Sequence, residues 1–507
     1  MSYRCVLAVD AGSSGCRCVI VDLDGKLVSI ASQKWSYDMP AEVAPMGKQF
    51  DAQIFWGIIC RLISESINKV GLASSDIIAV STTSQRQGVV FLDRDGQELY
   101  AGPNTDIRGI VEGFAIDGEY GSEVYRITGH TPSLIFVPAR LRWFKTNHPE
   151  IYERIATVLP ISDWIIYRLC GERVGEISCV SEAGLVDINE LRGSRKLAEM
   201  LQFPEGVCPP LEAAGTRVGA VTLKVAERTG LAAGTPVVLG GSDTQCGLLG
   251  MGVREEGEVG IVAGWSAAIQ MVTSQPIIDS KGRMWSGCHV IPGKWILESN
   301  GGESGGAYCW LKKLLFGDSD EPAKTYALMD SLAQDVPAGA GGVLAFIGPS
   351  VMDMSRLKVS LGGFIFPVTP SVTSVGKEHL VRGALENLCF AFKGNCAQLE
   401  EVSQLEVKKV TIGGGLAQSH CLVQILADAL GRSVVSFEMP EVTAWGAAMC
   451  AAVGSGTYAD LEQAAKAMKP RSRIVEPNLE NSQIYTQFYE KWLSTSKLLD
   501  DLLAHIT

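Results

Sequence analysis

No stretch of this 507-residue chain is apolar for long enough to span a bilayer, and no basic segment precedes an apolar one near Met1. The expectation is a chain without membrane spans and without a secretory leader. Positive charge is also in short supply. Lys and Arg number 44 against 56 Asp and Glu, and the net charge of −12 argues against a nucleic-acid partner. The 14 cysteines form no Cys-x-x-Cys pair and find no histidine at zinc-ligand spacing, which removes zinc ribbons and dithiol redox motifs. Most lie inside apolar runs, as Cys389 and Cys450 do, where a thiol behaves as a small hydrophobe. A reduced, cytoplasmic setting is expected. Low-complexity tracts are missing as well.

What the chain does have is core material. Hydrophobic residues make up 46% and charged ones 20%, an ordinary globular balance, and at roughly 150 residues per domain two large domains are expected. The stretch "LAVDAGSSGCRCVIVDLDG" (7–25) sets Asp10 and a Gly-Ser-Ser-Gly turn between two apolar runs. Leu7–Val9 and Cys18–Val21 read as strands, with Leu27–Ile30 as a third. No helix follows the glycines, so neither a P-loop nor a dinucleotide fingerprint is present. A tight hairpin can still bind phosphate through its backbone N–H groups; the alternative is a plain hairpin with a solvated Asp10. Cys16 and Cys18 flank Arg17 and are expected on the opposite face. Further on, helices are predicted over 55–71, 139–155, 161–172 and 379–402, with a strand over 77–82. Residues 257–272, "GEVGIVAGWSAAIQMV", repeat the strand–turn–strand outline of residues 4–21. That recurrence predicts two related halves, joined near 243–255.

Four motifs then occur in order: "VDAGSSGCR" (9–17), "GGSDTQCGLLGMG" (240–252), "GGGLAQSHCLVQILADALG" (413–431) and "EVTAWGAAMCAAVGSG" (441–456). Together they resemble the motif set of the FGGY carbohydrate kinases, which are similar in fold to actin and the Hsp70 ATPase domain. The resemblance implies an α/β protein of two RNase H-like domains with a nucleotide cleft between them. Residues 1–248 would form the N-terminal domain, with the sugar and phosphate sites and the catalytic aspartate. Residues 249–507 would form the C-terminal domain, which binds adenosine.

The resemblance also assigns roles. Asp10 would orient Mg²⁺, while Gly12, Ser13 and Ser14 contact ATP phosphates and Arg17 brings charge toward the transferring phosphoryl. A strand-edge salt bridge is the other reading of Arg17. Asp243 would be the general base, or else a helix N-cap. Gly264 and Ser266 would form a second phosphate turn, but Trp265 stands where the family has threonine, which puts catalytic vigour in doubt. Gly413, Gly414, Gly415 and Ser419 would hold adenosine. Gln424 and Asp428 are divided between nucleotide contact and helix packing, Gly431 closes the motif, and Ala444–Ala452 read as close helix packing. For the acceptor, the matching positions are Gln85, Arg86, Gln87 and Asp106, with Arg108 nearby; amide, guanidinium and carboxylate groups suit hydroxyls. Trp56 offers a sugar-stacking face or a core residue.

Several positions depart from the xylulokinases, which commonly carry Met-His where Arg86-Gln87 stand and Trp where Asn104 stands. Residues 344–363 also lack the family's usual loop. "EVYRITG", "ISDWIIYRLCGE" and "NTDIR" look more like autoinducer-2 kinases, which act on a branched five-carbon polyol. The implied activity is ATP- and Mg²⁺-dependent phosphorylation of a small sugar, a ketose such as xylulose or a related polyol. An autoinducer-2-type kinase and a catalytically weak sugar or nucleotide sensor remain as alternatives, and a chaperone- or filament-type ATPase is a further rival. The partners implied are the sugar or polyol and ATP, with no nucleic acid and no membrane; a homodimer stays open.

Overall fold

A computed structural model of the protein describes residues 4–356, 359–368 and 375–506. The chain divides into two compact units. One holds the residues up to Arg254 with Val272–Ile296 and Glu441–Pro470; the other holds Glu255–Met271, Leu297–Pro440 and the residues from Arg471 onward.

The first unit is built on a six-stranded sheet. Its order is Arg217–Ala220, Pro236–Ser242, Ile77–Ser84, Cys5–Gly12, Gly15–Asp22 and Leu27–Lys34. Cys5–Gly12 runs antiparallel to Gly15–Asp22 through the two-residue Ser13-Ser14 turn, so the predicted hairpin forms with Asp10 opposite Arg17. Cys5–Gly12 is parallel to Ile77–Ser84, which is parallel to Pro236–Ser242. Cys16 and Cys18 point away from Arg17 into the core, and all fourteen thiols are unpaired. The helix Ala52–Asn68 is capped by Asp51, which accepts from the Gln53 and Ile54 amides, and it buries Trp56 in the same core.

The second unit repeats the plan. Its sheet includes, in order, Trp295–Asn300, Ala267–Thr273, Glu258–Ala263, Lys409–Gly413, Val434–Phe437 and Ser472–Val475. Glu258–Ala263 is antiparallel to Ala267–Thr273 and parallel to Lys409–Gly413, which is parallel to Val434–Phe437. The recurrence of the Gly-turn hairpin is therefore a recurrence of strand order.

Two elements differ from expectation. The helix expected over 139–155 ends at Asn147, and a separate short turn occupies Pro149–Tyr152. Proline restricts the residue before it, and His148 leaves helical geometry at φ −138° and ψ 63°. In the departing segment 344–363, Leu344–Phe346 pairs with Gly363–Ile365, while residues 357 and 358 lie outside the described residues. Among the described residues no helix is long and apolar enough to cross a membrane.

The small-residue run 444–452 does what its composition suggests. Helix Val442–Gly454 crosses helix Asp243–Gly250 at bare backbone: a methyl at Gly446 would overlap the Cys246 carbonyl, and one at Gly250 the Val442 carbonyl. Overpacking of this kind costs about 1–3 kcal/mol. Gly446→Ala is therefore expected to lower the denaturant midpoint without changing the slope of the transition. An unchanged midpoint would show that the two helices part freely.

Candidate active site

Three parallel strands of the first unit end along one edge of their sheet, and each delivers functional groups there. In register, Asp10 lies opposite Thr83, and Ser242 opposite Ser84. The loop Gln85-Arg86-Gln87 leaves one strand and helix Asp243–Gly250 leaves the next. Ligand sites of open α/β sheets form at such carboxyl ends. Asp243 is the first residue of its helix. Ser242 holds the cap position, and the Asp243 carboxylate accepts from the neighbouring Thr244 amide at 2.8 Å. This geometry is not that of an N-cap, which reaches the amides two or three residues on.

The Asp243 side chain keeps 29% of its surface open, and its Oδ1 lies 3.9 Å from Nε of Arg86. Burial pushes its carboxyl up to about 7; Arg86 pulls it down, while Asp10 and Glu182 push it further up. Asp10 is likewise raised by burial, against the pull of Arg17. Arg17 pairs with Asp10 at 3.4 Å across the hairpin while remaining 47% exposed. It forms the strand-edge bridge and still presents its guanidinium to solvent.

Glu182, which sequence reasoning missed, is fully buried at the end of helix Ile177–Glu182. That helix is tied to the Asp243 strand by the Ser242 amide, which donates to Ser178 Oγ at 3.1 Å. One carboxylate oxygen of Glu182 accepts from Arg86 Nη1 at 3.2 Å and Gln87 Nε2 at 3.4 Å. The other accepts from Gln245 Nε2 at 2.7 Å. His130 Nε2 stands 3.4 Å away. Burial alone would raise this carboxyl, but Arg86 and His130 more than offset it and hold it at about 2. The available signal was a lone glutamate in the small and apolar run "SCVSEAGLV".

The other expected acceptor residues are engaged within the protein. Gln85 donates to Tyr37 Oη at 2.8 Å and to the Gly12 carbonyl at 3.4 Å, and accepts from the Asn104 amide at 3.1 Å. Asn104 in turn donates to Ser13 Oγ at 3.0 Å, which fixes the Ser13-Ser14 turn to the loop after Gly102. Asp106 is fully buried among Tyr100, Arg108 and the Lys48 amide, with Arg140 bound to its backbone carbonyl at 3.1 Å. Arg140 also donates to the Gln87 carbonyl at 2.7 Å. Gln87 has φ 60°, a left-handed conformation that its side-chain type rarely adopts. The Asp106 cluster thus holds the Arg86-Gln87 loop from behind. Trp56 lies in the core under Arg168.

In the second unit, the turn Gly264-Trp265-Ser266 and the Gly413-Gly414-Gly415 run share one sheet edge, with Val262 opposite Gly413. A methyl at Gly414 would stand 2.7 Å from the Ala263 carbonyl, and one at Gly305 would overlap the Gly264 carbonyl. Glycine at these positions lets bare backbone line that edge. Trp265 is 56% exposed there. Ser419 caps helix His420–Leu430 and bonds Asp330. Asp428 binds Gln424, the Asn478 amide and the Asn481 side chain, so it anchors the start of the C-terminal helix. Gly431 ends its helix in left-handed geometry.

Two units that repeat one strand order, with buried carboxylates at the ends of parallel strands, define a mixed α/β phosphotransferase of the actin/Hsp70 ATPase kind. Residues 5–250 match the N-terminal domain of the FGGY family of carbohydrate kinases, and residues 259–455 its C-terminal domain. The chain belongs to this family and is a carbohydrate kinase. It is similar to the autoinducer-2 kinase of Salmonella paratyphi B, with 31% identity over 499 residues that cover 96% of this chain and 93% of that one. The xylulose kinase of Rhodospirillum rubrum matches at 26% identity and a TM-score of 0.84, covering 98% of this chain and 99% of the other. The xylulose kinase of Lactobacillus acidophilus, at 17% identity, shares the fold with a TM-score of 0.86 over the full length of both chains.

A carboxyl at about 7 accepts a proton only once ionised. If Asp243 is the proton acceptor, kcat/KM for the sugar should fall about tenfold per pH unit below roughly pH 7 and level off above it. A flat profile from pH 5.5 to 8 would exclude a proton-accepting role.

Proposed function

We propose that Asp243 is the general base of an ATP-dependent kinase acting on a hydroxyl of a small ketose or polyol. The observation that carries the reading is a half-open carboxylate at a strand end, poised near neutral pH and 3.9 Å from Arg86. A sugar hydroxyl is a weak nucleophile, and a positioned carboxylate that takes its proton contributes ~10²–10⁴-fold. Arg86 and Gln87 bind acceptor hydroxyls, with Gln85 and Asp106 as the groups that hold their loop. Gly12, Ser13 and Ser14 present backbone and hydroxyl donors to phosphate, and Arg17 swings its exposed guanidinium toward the transferring group. Gly264, Ser266 and Gly413–Gly415 offer bare backbone to the nucleotide, with Ser419 fixing the helix behind them. On this reading the functional halves are 1–248 and 249–507.

The donor set at Asp10 fits Mg²⁺. Asp10 is a buried carboxylate whose charge raises a second one, Asp243, and among the described residues no cluster of three or more metal-ligating side chains is present. Magnesium takes one or two carboxylates and keeps several waters. When bound it neutralises charge on the phosphoryl oxygens. A reducing, cytoplasmic setting suits fourteen free thiols.

Among acceptors, the branched five-carbon polyol of the autoinducer-2 kinases is favoured as the second reading by the 31% match to that group. ADP release against a panel of pentuloses, hexuloses, alditols and the autoinducer-2 precursor tests both. Acceptor-independent ATP turnover would instead favour the sensor or ATPase readings.

Asp243→Asn is expected to keep the fold and nucleotide binding while kcat falls by ~10²–10⁴. A variant that retains more than about a tenth of the turnover overturns the assignment. Asp10→Asn should raise the Mg²⁺ concentration for half-maximal rate about tenfold or more, with calorimetric acceptor binding unchanged. The same Mg²⁺ dependence as wild type would make Asp10 structural only.

A further inference from the structure

An arginine in a ligand pocket is ordinarily a reader of carboxylate or phosphate, because its planar donors match those groups. Arg86 is not available in that way. Its Nη1 is bonded to the fully buried Glu182 at 3.2 Å, and its Nε faces Asp243 at 3.9 Å. We propose that Glu182 is the specificity-determining residue of this site: by neutralising Arg86 it makes the acceptor pocket take neutral polyols and reject acceptors that carry a carboxylate or phosphate group. The inference rests on the kinase reading of Asp243 given above.

Three independent features support it. The Glu182 carboxylate is fully engaged, by Arg86 and Gln87 on one oxygen and Gln245 on the other. Arg86 faces Asp243 at 3.9 Å and Gln245 lies two residues beyond it in the chain, so Glu182 also orients the groups that meet the acceptor. His130 faces it with Nε2 at 3.4 Å while Nδ1 lies 2.6 Å from the Thr128 carbonyl. Room for the carboxylate is provided by Gly287, where a methyl would stand 2.8 Å from the Glu182 oxygen that binds Gln245. An acceptor bearing a negative charge would add a third anion beside Glu182 and Asp243. Arg86 is already paired, and His130 lies behind Glu182. A neutral polyol adds none and can exchange hydrogen bonds with Gln87, Arg86 and Asp243.

The test compares matched acceptors on the full-length protein. ADP release is measured with xylitol, D-xylulose and the autoinducer-2 precursor as neutral acceptors, and with D-xylonate and D-gluconate as anionic ones. Wild type is expected to prefer the better neutral acceptor at least a hundredfold in kcat/KM. Glu182→Gln should narrow that preference at least tenfold, losing rate on the neutral acceptor and gaining it on the aldonate. Gly287→Ala, which crowds the carboxylate from the far side, should shift the preference in the same direction and serves if Glu182→Gln does not fold. A folded variant of either kind with an unchanged preference overturns the proposal, as does a wild type that takes aldonates within tenfold of polyols. If no acceptor raises ADP release in wild type, the kinase reading of the site fails. Thermal stabilisation by D-xylonate then decides the role of Glu182 separately: it should be absent in wild type and present in Glu182→Gln, and the same shift in both overturns the proposal.

Discussion

One guanidinium against two carboxylates is the constraint around which the first unit is arranged. Arg86 is pinned to Glu182, which burial would otherwise protonate, and it tempers an Asp243 that burial has already raised. Buried charges are tolerated only when paired and hydrogen-bonded, and removing one member leaves the other uncompensated. The pair therefore explains more than itself. It accounts for the glycine at 287, for the amide at 245, and for the unusual backbone at Gln87, which needs Arg140 at its carbonyl and Asp106 behind Arg140.

Strand order places this charge system. The parallel trio Cys5–Gly12, Ile77–Ser84 and Pro236–Ser242 brings residues 10, 86 and 243 to one edge although they are far apart in sequence. The second unit uses the same order for a different purpose: its corresponding edge carries glycine backbone in place of charge. Duplication of a scaffold with divergence at the strand ends is what the repeated hairpin at 4–21 and 257–272 amounts to in three dimensions. Where the second hairpin differs, at Trp265, the side chain is turned outward and the backbone of the turn keeps its form, with the Gly264 amide bonded to the Ser266 carbonyl at 2.9 Å.

Much of this was legible in the sequence because it is written in local patterns. Continuous apolar runs about Gly-Ser-Ser-Gly announce the first hairpin, small residues at 444–452 announce a close helix crossing, and Asp243 sits where a buried strand meets a helix. The Pro149 break was misjudged because the helical period runs through it, and only the steric rule for the preceding residue stops the helix. The surroundings of Asp243 were legible in part. Arg86 faces Asp243, but Gln85 and Asp106 look the same in sequence and are turned inward. Which way a polar side chain faces depends on partners such as Tyr37, Arg108 and Arg140, contributed by distant segments. Glu182 shows only as a lone glutamate in a small, apolar run and His130 has no local signature, since their meaning arises from being brought to Arg86.

The same reasoning bears on why overall similarity says little about the acceptor. The chain is 31% identical to an autoinducer-2 kinase and 26% identical to a xylulose kinase, and those values reflect the shared scaffold of two repeated sheets. Discrimination among small polyols is decided by a few buried polar groups, because a site built to hydrogen-bond a hydroxyl loses binding when that partner is missing, whereas extra apolar area discriminates weakly. In this chain the groups proposed for that task are Arg86, Gln87, Gln245 and the carboxylate that joins them. On the proposed reading the choice of acceptor depends on how Glu182 divides its two oxygens among them, a property that pairwise identity along the chain does not register.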